Sequence, residues 1–296
     1  FAKENNLGID FNPTFFSHPM VKNNLTLASP DEEVRAFWIR HGIACRRIAA
    51  YFARELGTHS VCNVWIADGY KDIPADKMGP RMLLKDSLDQ IFAEDLPGVI
   101  DCVESKVFGI GLESYTVGNN EFYQNYASQK GICCLLDTGH YHPTELVSDK
   151  ISSMLLFAPK LALHVTRAVR WDSDHVTIMD DPTQELFSEI VRAGALDRVH
   201  YGLDFFDGSI NRIGAYVIGS RSAQKCMLRA LLEPKELISK LELAGEGYKV
   251  LTLLEEQKAM PWQAVYDEFC VRNNVPVGAD FIADIDQYVA EVTSKR

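Results

Sequence analysis

Four apolar runs in the middle of this chain each stop at a side chain able to hold a cation. One run begins at Val99 and ends in Glu104, and the next runs from Ile132 to Asp137. A third runs from Leu161 to His164, and a fourth from Val199 to Asp204. Two earlier runs of the same kind precede them, Leu7–Phe11 and Ser60–Ile66, and helix-like segments separate the runs. Strand-then-helix alternation predicts a parallel sheet with right-handed crossovers. Runs that are apolar throughout predict strands covered on both faces. When such a sheet closes into a (β/α)8 barrel, the strand ends converge on one face, where the active site sits. A single carboxylate at a strand end is explained as the N-cap of the next helix. Four successive ends, all of metal-ligand type, are not. The fold expected is α/β, a (β/α)8 TIM barrel.

Local signals set the element boundaries. Ser29-Pro30-Asp31-Glu32-Glu33 predicts a helix start, with Ser29 as N-cap and Pro30 at the first position, and Gly57 predicts its stop. Asp68-Gly69 reads as a turn. A long helical stretch is expected over 211–243, with further helices after it. The domain reading is therefore six βα units over 1–210, followed by a helical extension over 211–296 that packs on the barrel or on a neighbouring subunit. Six strands are two short of closure, and two open edges would leave unpaired N–H and C=O groups along apolar strands. The expectation is a longer chain with two further βα units, roughly a hundred residues or more, on the N-terminal side.

The net charge of −11 argues against a nucleic-acid footprint, which needs a clustered basic surface. No apolar run approaches the ~18 residues that span a bilayer. The seven Cys are odd in number and form no CxxC pair, which reads as reduced thiols in a cytoplasmic protein.

The candidate ligands are too many for one ion. Glu104, Asp137, His164 and Asp204 make one shell. His140, Asp172 and Asp174 make a second. Asp172 and Asp174 fall on one side of any extended segment, since side chains there alternate with period two. Two carboxylates so close repel unless a cation or a proton sits between them. Oxygen-rich shells with an imidazole suit Mn²⁺, Mg²⁺, Co²⁺ or Zn²⁺. Lys106, two residues beyond Glu104, leans the same way and can polarise a carbonyl. Trp65, near the end of its strand, is a candidate apolar wall.

Together, Glu104-Ser-Lys106, Asp137-Thr-Gly-His140-Tyr-His142-Pro143, the run Val169-Arg-Trp-Asp-Ser-Asp-His-Val176 and Gly202-Leu-Asp204-Phe-Phe-Asp207 resemble the L-rhamnose isomerase family, within the xylose-isomerase-like barrels. The resemblance covers essentially the whole chain. It implies a homotetrameric enzyme that converts L-rhamnose to L-rhamnulose reversibly. It implies catalytic Mn²⁺ held by His140, Asp172 and Asp174. It also implies a structural Zn²⁺ or second Mn²⁺, held by Glu104, Asp137, His164 and Asp204, that binds the sugar O2. In that family the Glu-x-Lys strand is the fifth; here it is the third, which is the same shortfall of two units. A hydride passing between C1 and C2 needs no nicotinamide. Lys106 would steady charge on O1, Asp204 or Asp172 would partner the moving proton, and Trp65, Lys106 and Glu104 would contact the sugar. His142 and His175 would stand behind the ligands.

Other readings are a related barrel enzyme (another aldose isomerase, a ketose epimerase or an endonuclease) and a non-catalytic metal-binding barrel. A nuclease would want a basic groove. A scaffold has no use for all seven ligand positions and Lys106.

Overall fold

The structure is a computed structural model that describes residues 1–106, 114–142, 144–169 and 171–296, without the side chains of 168 and 171–173. Its elements are α1 (Glu32–Leu56), β1 (Ser60–Val64), β2 (Gly69–Tyr70), α2 (Met78–Ile91), β3 (Val99–Glu104), β4 (Tyr115–Thr116), α3 (Asn120–Lys130), β5 (Cys133–Asp137), α4 (Ser148–Leu155), β6 (Leu161–Val165), β7 (Arg167–Val169), β8 (Trp171–His175), α5 (Asp181–Arg192) and β9 (Val199–Leu203). Then come α6 (Arg212–Leu231), α7 (Lys235–Leu243), α8 (Gly247–Ala259), α9 (Trp262–Arg272) and α10 (Phe281–Glu291).

Five strands form one parallel sheet in the order β1-β3-β5-β6-β9, curled as part of a barrel wall. Period-two alternation sorts each strand into two faces. Val64, Val103, Cys134, Leu136, Leu161, Leu163 and Val165 belong to the large core that also takes in helical residues such as Trp38, Leu88 and Ile151. Val61, Cys102, Cys133, Leu135 and Ala162 face the other way and form a small inner cluster. Two residues further along the same inner face come Asn63, Glu104, Asp137 and His164. The residues that pack the inside of the curl thus lie directly below the polar ones at its C-terminal end.

Several expectations are corrected. Leu7–Phe11 does not form a strand: only Phe11 bridges to β1, at Cys62, and the segment is otherwise held by side chains. Asp10 Oδ1 accepts from Val61 N (2.8 Å), and the Ser60 hydroxyl donates to Ile9 O (2.7 Å). The N-cap of α1 is Asp31, not Ser29; its carboxylate accepts from Glu33 N (2.9 Å) at the positive end of the helix dipole. Gly57 does stop that helix, with φ +67°. The helix expected over 211–243 is two, α6 and α7, because Pro234 cannot donate to an earlier carbonyl. Asp68-Gly69 is not a surface turn. Buried Asp68 accepts from Thr26 N (2.7 Å), Thr26 Oγ1 (2.5 Å) and Ala28 N (2.9 Å). Gly69 starts β2, where a Cβ would overlap the Tyr115 carbonyl of β4. The β7–β8 hairpin, which carries the Asp-x-Asp stretch, was not anticipated as a paired element.

Candidate metal centre

Glu104 ends β3, Asp137 ends β5 and His164 lies one residue before the end of β6. Register sets their heights: Asp137 pairs with His164, while Glu104 pairs with Leu135, two residues below Asp137. One donor atom from each of Glu104, Asp137 and His164 falls within 4.8 Å of the others. Asp204, just past the end of β9, completes the ring with Oδ2 at 3.3 Å from His164 Nδ1. Gly202 lies opposite His164 and contributes no side chain to crowd it.

His140 joins this same group. Its Nδ1 is 3.4 Å from Glu104 Oε1, and its Nε2 is 3.7 Å from Asp137 Oδ2. Nδ1 also donates to Ser105 O (2.8 Å), which leaves Nε2 as the acceptor toward Lys106 Nζ, 2.7 Å away. The Lys106 ammonium stands 5.7 Å from the centre of the Trp65 ring, and Trp65 packs on Phe16 at 5.3 Å. The sugar-wall candidate and the lysine therefore share one corner of the site.

Asp174 lies on β8, and its carbonyl accepts from Phe206 N (3.1 Å), which ties the hairpin to the loop carrying Asp204. The side chain of Asp172 lies outside the described residues, as does Pro143. His142 is exposed, with Nδ1 2.7 Å from Thr144 Oγ1. His175 pairs with Arg167 across the hairpin.

Two residues escaped the sequence reading. Asn63 Nδ2 donates to Glu104 Oε2 (2.5 Å) and to Asn12 Oδ1 (3.0 Å). The available signal was a lone amide inside the apolar run Val61-Cys62-Asn63-Val64. Asn12 carries no such signal, because it lies outside any strand.

Burial sets the electrostatics of the cluster. It pushes Asp137 up to about 7, and raises Asp204. Burial acts the same way on Glu104 and is the largest single influence, but the His164 and His140 charges and the hydrogen bonds from His164 and Asn63 together outweigh it and take the carboxyl down to about 2. Burial alone would lower His164, yet Glu104, Asp204 and Asp137 together raise it to about 9. Asp137 Oδ2 is buried without a hydrogen-bond partner. It sits 3.7–3.8 Å from the two imidazoles. Both distances are too long for hydrogen bonds, and the one to His164 fits two donors on one ion, which at ~2.1 Å each lie about 3–4 Å apart. The donor set, carboxylates with imidazole and no thiolate, fits a divalent metal.

Comparison with known proteins decides the family. The L-rhamnose isomerase (RhaA) profile matches residues 1–296. The chain belongs to the L-rhamnose isomerase family. An L-rhamnose isomerase of Bacteroides thetaiotaomicron is 62% identical over 296 residues, covering 100% of this chain and 71% of the relative. One from Yersinia pseudotuberculosis is 54% identical over 298 residues, again with 100% and 71% covered. Among solved structures, a 3-keto-D-glucoside 4-epimerase from E. coli superposes with a TM-score of 0.52 at 14% identity, covering 76% of this chain and 82% of its own. A D-tagatose 3-epimerase-like protein gives 0.51 at 17%, covering 83% and 82%. These two share the barrel fold with the L-rhamnose isomerase family member described here.

Proposed function

We propose that this chain is an L-rhamnose isomerase, a metal-dependent aldose–ketose isomerase converting L-rhamnose to L-rhamnulose by a 1,2-hydride shift. The observation that carries the reading is the buried Glu104–Asp137–His164 cluster, with an unpartnered Asp137 oxygen and Lys106 held beside it. Glu104, Asp137, His164 and Asp204 hold one cation and His140, Asp172 and Asp174 the other. Mn²⁺ is the catalytic ion, and Zn²⁺ or a second Mn²⁺ the structural one. Bound there, the cations supply Lewis-acid polarisation of the sugar carbonyl and its neighbouring hydroxyl.

The chain's own residues do the rest. Isomerisation moves one hydride between C1 and C2 and one proton between O1 and O2, so it balances within the substrate and needs no nicotinamide. Lys106 donates toward O1 and steadies the negative charge that grows there. Asp204 is only partly buried, and its raised pKa suits a group that takes and returns the O2 proton; Asp172 is the other candidate for that role. The Trp65 ring, beside the lysine, walls the apolar side of the sugar. His140, pinned by Ser105 O, keeps Nε2 as a lone-pair donor. The enzyme acts as a homotetramer in the cytoplasm, with 211–296 as the helical extension. Among the described residues no helix is long and apolar enough to cross a membrane.

The test strips purified protein with EDTA, restores Mn²⁺ and offers a panel of aldoses. Ketose formation from L-rhamnose, lost on stripping and regained with Mn²⁺, is expected, with almost no deuterium at C1 of product made in D₂O. No L-rhamnulose would overturn the activity, and extensive deuterium would replace the hydride shift with an enediol route.

A further inference from the structure

Asn63 sits mid-strand in β1 at 2% exposure, where a polar side chain is costly unless paired. Its amide nitrogen spends both hydrogens, one on Glu104 Oε2 and one on Asn12 Oδ1. A carboxylate can only accept, so the nitrogen must face Glu104 and the amide oxygen must not. That oxygen is buried without a partner, so the amide is placed to serve Glu104 rather than to satisfy itself. The other carboxylate oxygen, Oε1, faces His164 Nδ1 at 3.3 Å and His140 Nδ1 at 3.4 Å. Asn63 also lines a cavity of about 560 Å³ together with Asn12, His164 and Asp204, so the amide stands at the edge of the cluster.

We infer that Asn63 is a positioning residue for Glu104: it occupies Oε2, so that Oε1 alone is offered to a cation, and Asn12 holds the amide in that orientation. The inference rests on the reading of Glu104 as a metal ligand. Without the amide the carboxylate keeps only the contacts of Oε1 with the two imidazoles, and the ordering of Oε2 must come from the metal's binding energy. Partners standing behind a ligand in this way contribute about 10–100-fold to metal affinity.

The experiment uses the whole chain, EDTA-treated and titrated with Mn²⁺, with free Mn²⁺ followed by electron paramagnetic resonance. Melting temperature with and without Mn²⁺ is read alongside. Asn63→Ala is expected to weaken Mn²⁺ binding about tenfold or more, and Asn12→Ala severalfold, with the Mn²⁺-induced rise in Tm shrinking in step. A purely structural role would lower the metal-free Tm and leave the Mn²⁺ Kd in place. A folded Asn63→Ala that binds within about twofold of the parent overturns the inference, and Asn12→Ala at parental affinity does so if Asn63→Ala does not fold. A parent chain that binds no Mn²⁺ overturns the ligand reading and this inference together, which separates the two failures.

Discussion

At the scale of single residues, the groups that would hold a cation hold protons on the same lone pairs. Asp137 stands at about 7 through burial, and His164 at about 9 through its carboxylate neighbours. Metal binding must displace the protons these groups hold. Mn²⁺ affinity is therefore expected to strengthen as pH rises from about 6 to 9, with proton release measurable by calorimetry in buffers of different ionisation heat. Folding stability has the opposite sign. His164 is raised from 6.5 to about 9, so its contribution is full below pH 6.5 and is lost as pH rises through 9. The EDTA-treated protein is expected to lose Tm across that interval; a flat or rising Tm would contradict the charge assignment of the cluster.

At the scale of elements, one side chain joins three of them. Arg46 of α1 is 2% exposed and forks onto Asp101 of β3 through Nε (2.7 Å) and Nη2 (2.6 Å). Its Nη1 donates to Ile91 O at the end of α2 (2.7 Å), and Nη2 also donates to Glu94 O (2.8 Å). The guanidinium packs over Phe92, 5.2 Å from the ring centre. Removing it leaves a poorly paired carboxylate, a buried carbonyl at Ile91 and a part-buried one at Glu94. Arg46→Ala is expected to cost about 3–5 kcal/mol in urea unfolding. A cost below about 1 kcal/mol would reduce the fork to a surface-type ion pair. None of this was legible beforehand, because partners 45–55 positions apart meet only after the helix has packed on the sheet.

At the scale of the whole molecule, burial is uneven. The strands β1 and β5 are buried along their whole length, whereas α10 has no buried residue and α8 buries only Gln257. α10 rests on α6 through Arg221, which packs 5.1 Å from the Phe281 ring and donates to Gly278 O at 2.7 Å. Native-state hydrogen exchange is expected to release the amides of α10 and α8 first, and those of β3, β5 and β6 last. Slow exchange in α10 would mean that its open face, with Ile282 and Tyr288 exposed, is covered in solution.

Strand order, the helical C-terminal region and a barrel-type sheet could be read from residue order alone. Apolar runs and their crossovers are local patterns, and parallel pairing follows from chain connectivity. The run ends at Glu104, Asp137, His164 and Asp204 were equally visible, because period-two alternation carries them to the inner face. Tertiary structure decided what depended on register and on distant contacts. The heights of neighbouring strands bring His140 against Glu104 and Lys106 against His140. The curl of the sheet sets Asn63 against Glu104, 41 positions away. Asp68 became a buried staple because the segment at Thr26 folds back over it. Leu7–Phe11 keeps only the Phe11 bridge to β1, and side-chain hydrogen bonds at Ile9 and Asp10 stand where the rest of a ladder would run. Each of these outcomes turns on which groups lose water together, and that is a property of the packed chain rather than of any one segment.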